Sequence, residues 1–124
     1  MTVLVVDDQA PFRVAARALV ERTPGFVHVA SAVGVQDAVA LAGVHAPDLV
    51  LLDVRLPDGS GADAVASLHA VAPRAVVVLC STYDRADLPL ELDRCGAAAF
   101  IRKESLSPVA LAELWRAHGS RPAG

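Results

Sequence analysis

Five short apolar runs set the frame of this 124-residue chain: Val3 to Val6, Phe26 to Ala32, Leu49 to Leu52, Ala75 to Leu79 and Ala98 to Ile101. They are too short for helices and rich in β-branched residues, so each reads as a strand. A strand with one face in water alternates apolar and polar positions. "VLVV", "LVLL" and "AVVVL" do not alternate, and a strand that is apolar throughout must be covered on both faces. That requirement points to an α/β protein, doubly wound, with a parallel sheet between two layers of helices.

The stretches between the runs supply those helices. Phe12, Ala15, Ala16, Leu19 and Val20 recur at helical spacing before "TPG" at Thr23 to Gly25 ends the first helix. Val35, Ala38, Val39 and Ala42 repeat the pattern, and Val65, Leu68 and Ala72 mark a third helix that stops before Pro73. In "SPVALAEL" Ser107 is the N-cap of the last helix and Pro108 its first residue. The fourth helix is the odd one. Pro89 would disrupt a helix begun at Asp84, because it lacks the N–H and clashes with the turn before it. The expected helix therefore starts late, with Asp87 as cap and Pro89 in the first turn, and lasts about two turns before Cys95 and Gly96.

Composition narrows the function classes. One domain is expected over residues 1–118, with 119–124 as a tail or the start of a linker. The formal charge is −3 and the basic residues are scattered singly from Arg13 to Arg121. Without a basic strip to neutralise successive phosphates, direct nucleic-acid binding by this segment is not expected. Asp7, Asp53 and Arg74 break the longest apolar stretches, leaving none able to span a bilayer. Cys80 and Cys95 lie in apolar or helical surroundings and no leader-like segment opens the chain, so a cytoplasmic protein with reduced thiols is expected. His28, His45, His69 and His118 stand at no metal-ligand spacing.

In a parallel α/β sheet the ligand sits beyond the carboxyl ends of the strands. Strand one closes on Asp7 and Asp8, strand three on Asp53, strand four on Cys80, Ser81 and Thr82, and strand five on Lys103. Carboxylates crowded on one rim raise each other's pKa unless a cation sits among them. All-oxygen ligands favour a hard cation such as Mg²⁺. A carboxylate neutralised in this way can attack phosphorus and form an aspartyl phosphate, with the hydroxyl and ammonium serving the phosphoryl oxygens. Standing alone, Asp7 and Asp8 would read as helix caps, Ser81 as a strand-end hydrogen bonder and Lys103 as a solvated charge. Their joint placement favours the site.

On these motifs the chain resembles the receiver domains of two-component response regulators over essentially its whole length. "VLVVDDQ" resembles the family's acidic pair and "LLDVRLPDGSG" its phosphoacceptor loop, with Pro57 and Gly61 in register. "VVVLCST" resembles its switch hydroxyl and "GAAAFIRK" its strand-five aromatic and lysine. The resemblance implies a flavodoxin-like or CheY-like three-layer sandwich, a five-stranded sheet of order 2-1-3-4-5 with five helices. It implies that a sensor histidine kinase phosphorylates Asp53 in a Mg²⁺-dependent reaction. Asp8, Asp53 and the backbone carbonyl of Arg55 would bind the metal directly, and Asp7 through water. Ser81 and Lys103 would contact the phosphoryl group, and Phe100 would move inward when Ser81 is drawn to it. For Phe100 a plain core role reads nearly as well.

The implied protein is a signalling switch and not an enzyme beyond its own phosphorylation and dephosphorylation. Glu104 stands where many members carry proline, as in the LuxR/NarL branch with helix-turn-helix outputs. Transcription regulation through a DNA-binding domain outside this chain is therefore expected, with nucleic acid reached only through that domain. A homodimer through the face of helix four, strand five and helix five is compatible with the reading. Thr82 stands where a smaller residue is common, and its bulk is expected to slow entry or exit of the phosphoryl group or its attacking water. Arg55 and Tyr83 flank the same mouth as further tuning residues. Three alternatives stand beside this one. A phosphohydrolase would want Asp-x-Asp after strand one, where the second place is Gln9; a flavin binder would want a Ser/Thr/Gly-rich phosphate cradle. The third is a stand-alone or phosphate-independent receiver acting only through protein contacts, and a phosphate-independent one would not need Asp8, Asp53, Ser81 and Lys103 together.

Overall fold

The computed structural model describes residues 1–89 and 94–119. Among the described residues seven strands run in chain order: β1 (Thr2–Val6), β2 (Val27–Ala32), β3 (Leu49–Asp53), the two-residue pair β4 (Arg55–Leu56) and β5 (Gly59–Ser60), β6 (Val76–Ser81) and β7 (Ala99–Arg102). Four α-helices stand among the described residues: α1 (Ala10–Glu21), α2 (Val35–His45), α3 (Gly61–Val71) and α4 (Pro108–His118). The main sheet is parallel, in the order β2-β1-β3-β6-β7. With the small antiparallel hairpin β4–β5 set aside, that is the expected order of five strands.

The runs without alternation are buried on both faces, and successive residues feed opposite layers. Leu4, Val6, Val50, Leu52, Val77 and Leu79 pack with Ala38 and Ala42 of α2 and Ala64, Val65 and Leu68 of α3. Val3, Val5, Leu49, Leu51, Val76 and Val78 pack with Ala16, Leu19 and Val20 of α1 and Leu111 of α4. Leu114 and Trp115 close the margin of this second cluster. Of the apolar stripe expected on α1, Ala15 alone faces solvent. Each fully buried Leu or Val contributes about 1.5–3 kcal/mol, so the two layers rather than helix propensity hold the fold.

Helix ends follow the local chemistry. Ser107 accepts a hydrogen bond from the Ala110 N–H at 3.0 Å with Pro108 behind it, as expected. Ser60 does the same for Asp63 at the start of α3, at 3.2 Å. Gln9, not Asp7 or Asp8, occupies the N-cap position of α1.

Two expectations are corrected. β6 runs on through Cys80 and Ser81, because Asp53 pairs with Cys80 and Ser81 with Arg102, which keeps both residues in the ladder. Asp87 does not cap an α-helix: it ends a 3₁₀ turn, Arg85–Asp87, and Leu88 after it is extended at φ −112° and ψ 159°. Pro89 explains this, since a proline bars the residue before it from the helical region. The rest of the expected fourth helix falls on 90–93, outside the described residues, as does the expected tail beyond Gly119.

Candidate functional site

The parallel sheet brings the ends of β1, β3, β6 and β7 to one rim, where an open cleft of about 660 Å³ is lined by Asp8, Asp53, Ser81, Thr82, Tyr83 and Lys103, among others. Asp7 follows β1 directly, and its N–H still donates to the Ala32 carbonyl at 3.0 Å, so the carboxylate is fixed by the sheet. It is wholly buried. Its Oδ1 accepts from the Gln9 N–H at 2.8 Å. Its Oδ2 lies 2.5 Å from Lys103 Nζ and has no other partner among the described residues. Asp53 ends β3 at 9 % exposure, and its Oδ1 accepts from the Arg55 N–H at 3.3 Å while Oδ2 lies 3.5 Å from Lys103 Nζ.

Lys103 thus bridges two carboxylates that belong to different strands. Its ammonium also sits 4.5 Å from the centre of the Phe12 ring on α1, a cation–π contact that fixes its direction. Burial works against its charge, but the bond to Asp7 and the charges of Asp53 and Asp7 outweigh it and hold its pKa above the usual lysine value. Asp53 is pushed the other way from an ordinary carboxylate. Burial, then the neighbouring charge of Asp7, raise its pKa, and Lys103 only partly offsets them. Lys103 and the Arg13 guanidinium, which donates to the Asp7 carbonyl at 2.9 Å, stand against the three carboxylates of the acidic cluster.

Asp7, Asp8 and Asp53 each offer a carboxylate oxygen within 4.8 Å of the others. An all-oxygen set with a buried Asp7 oxygen held only by Lys103 fits a hard divalent cation. No histidine joins this cluster among the described residues. The loop after β3 is folded tightly beside it: the Gly61 N–H donates to the Val54 carbonyl at 2.9 Å, and a Cβ on Gly61 would come within 2.9 Å of Val54 Cα and 3.3 Å of the Asp53 carbonyl. Only glycine allows the chain to return so close to Asp53.

Residues 3–115 match the response regulator receiver domain family. The chain belongs to that family. A protein-glutamate methylesterase of Oleidesulfovibrio alaskensis is 36 % identical over 110 residues, which cover 88 % of this chain but 30 % of that relative's length. The crystal structure of a LuxR-family two-component response regulator from Aurantimonas sp. is similar with a TM-score of 0.81 at 28 % identity, covering 94 % of this chain and 82 % of that one. The response regulator domain of Thermotoga maritima CheB is similar at a TM-score of 0.83 and 26 % identity, over 98 % of both chains. The LuxR-family neighbour lies in the branch to which Glu104 pointed.

The receiver brings together Asp7, Asp8, Asp53 and Lys103 as the sequence led one to expect. Ser81 is 2 % exposed at the same rim, and its Oγ accepts from the Tyr83 N–H at 3.0 Å. Thr82 and Tyr83 are exposed at the mouth, and the Arg55 guanidinium lies 5.3 Å from the centre of the Tyr83 ring. Phe100 is half-buried on the α2/α3 side of the sheet, beside Leu79 in register. Two contributors escaped the sequence. Phe12 sits in an apolar stripe that reads as core, and Asp58, from the sequence, has no role of its own within the loop that holds Pro57 and Gly61. In the fold the Asp58 carboxylate accepts from the Val35 and Gln36 N–H groups at 2.7 and 3.1 Å, capping α2 from the β4–β5 hairpin. The signal for it was present in Gly34: a Cβ there would lie 2.6 Å from Asp58 Oδ1.

Proposed function

We propose that this receiver accepts a phosphoryl group on Asp53 from a phosphohistidine of a sensor kinase, in a Mg²⁺-dependent reaction, and relays it as a conformational change to a partner or output domain. The observation that carries the reading is the meeting of Asp53 with two further carboxylates and Lys103 in one strand-end cleft. An Asp53 oxygen attacks phosphorus, a P–O bond forms, and the P–N bond of the donor breaks with its electron pair returning to the imidazole. Asp7, Asp8, Asp53 and the Arg55 carbonyl would hold the metal, which when bound supplies positive charge for the phosphoryl oxygens.

The residues themselves do the rest. Lys103, held by Asp7 and Phe12, presents a fixed ammonium beside the acceptor. Ser81 offers the hydroxyl that a phosphoryl oxygen on Asp53 draws inward, with Phe100 following on the neighbouring strand. Thr82, Arg55 and Tyr83 crowd the mouth and set how readily water reaches the acyl phosphate. The fold's likeness to LuxR-family regulators supports a DNA-binding output, so that nucleic acid is contacted by another domain and not by this one. Cytoplasmic placement fits a partner of this kind, and no helix among the described residues is long and apolar enough to cross a membrane. The test is incubation with Mg²⁺ and a small-molecule phosphodonor, read by intact mass. One added phosphoryl group per chain that disappears when the metal is chelated is expected. Labelling that is indifferent to chelation contradicts the metal's role.

A further inference from the structure

Arg102 ends β7 and pairs in register with Ser81, the last residue of β6. Its side chain reaches to the segment that leaves β6. Nη2 donates to the Thr82 carbonyl at 3.2 Å, and Nη1 lies 3.0 Å from Asp84 Oδ1. Glu104, two residues further along, also pairs with Nη2 and orients the guanidinium from its own side. Nε is buried without a hydrogen-bond partner among the described residues, so the contacts that hold the group there are made by its outer nitrogens. The 3₁₀ turn Arg85–Asp87 begins directly after the two residues that Arg102 grips.

The Ser81 hydroxyl is tied to the same segment, because it accepts the Tyr83 N–H at 3.0 Å. A shift of Ser81 toward a group on Asp53 therefore pulls on residues 82–84, and Arg102 pulls against it. We propose that Arg102 is a latch: it holds residues 82–84 in the unphosphorylated arrangement and sets how readily a phosphoryl group on Asp53 draws Ser81 inward. This rests on the reading of Asp53 and Ser81 given above. A contact made in only one of two states lowers the apparent affinity of whatever favours the other. Arg102 and Asp84 are 39 % and 63 % exposed, so the tie is modest. Its loss is expected to change affinity by roughly threefold to tenfold.

The test uses beryllofluoride in Mg²⁺ buffer as the phosphoryl mimic, titrated by calorimetry into the wild type, Arg102→Gln, Asp84→Asn and the double variant. Both single variants should bind threefold to tenfold tighter, and the double variant no tighter than Arg102→Gln, since the contact that Asp84→Asn removes is already lost with the guanidinium. In the free protein the amides of Tyr83 and Asp84 should exchange hydrogen faster in both variants, with thermal midpoints close to that of the wild type. Should Arg102→Gln fail to fold, Asp84→Asn carries the test alone. Unchanged or weaker binding by the variants, with the wild type binding, overturns the latch and leaves the reading of Asp53 intact. No binding by the wild type overturns both.

Discussion

The loop after β3 and the loop after β6 border the same cleft, yet a close-packed backbone and a helix-capping carboxylate fix the first while a single guanidinium and its ion pairs hold the second. After β3 the chain turns back through Gly61, packed 2.9 Å from Val54 Cα were it to carry a Cβ, and Asp58 pins the hairpin to the first turn of α2. After β6, residues 82–84 are exposed and hang on Arg102, and the 3₁₀ turn that follows contains no buried residue before Leu88. The loop after β3 is thus the more tightly held of the two, and on the proposed function the loop after β6 is the one that moves, since exposed segments with few buried contacts open at the lowest cost. On the proposed function, Asp53 and Asp7 would hold their geometry through a reaction that displaces Ser81 and its loop.

Substitutions can break that contrast in order of their expected effect. Leu52→Ala, in the strand that delivers Asp53, removes a side chain with no exposed surface and should cost about 2–5 kcal/mol in urea unfolding. Gly61→Ala forces a Cβ against the Val54 backbone and should cost about 1–3 kcal/mol, with weaker Mg²⁺ binding measured by calorimetry. Equal stability and equal metal binding in this variant would mean that the loop after β3 is not rigid.

Asp58→Ala should lower the thermal midpoint less, and in a pH-dependent way. The Val35 and Gln36 N–H groups hold the Asp58 carboxyl below its ordinary value of 3.8. A carboxylate with a depressed folded-state pKa stabilises the fold above its unfolded value, and that contribution fades as the pH falls through the folded one. The gap between wild type and Asp58→Ala should therefore be constant near neutral pH and close under acid. A gap that persists under acid would assign the effect to something other than the charge. On the looser side, Thr82→Ala should change stability by less than about 0.5 kcal/mol yet shorten the lifetime of the phosphoryl group. An unchanged lifetime would remove Thr82 from the mouth's control.

The rim was readable because a parallel sheet places every strand's carboxyl end on one side, so Asp7, Asp8, Asp53 and Lys103 could be collected before any contact was known. The doubly covered strands were readable for the same reason, since "LVLL" cannot face water. What escaped depends on partners remote in sequence. Asp58 caps a helix that begins 23 residues earlier, and Arg102 grips a carbonyl 20 residues earlier, distances at which no local spacing carries information. Phe12 escaped because one aromatic serves two purposes, lying in the α1 stripe and under the Lys103 ammonium. At Pro89 the missing N–H was foreseen, but the constraint on the residue before it was the stronger effect and left Leu88 extended.

The acceptor itself is tested most directly by intact mass after Mg²⁺ and a small-molecule phosphodonor, comparing wild type with Asp53→Asn. The asparagine keeps the shape of the side chain and loses the nucleophilic oxygen. The wild type should gain one phosphoryl group and the variant none. Equal labelling of both would place the phosphoryl group elsewhere and contradict the assignment of Asp53.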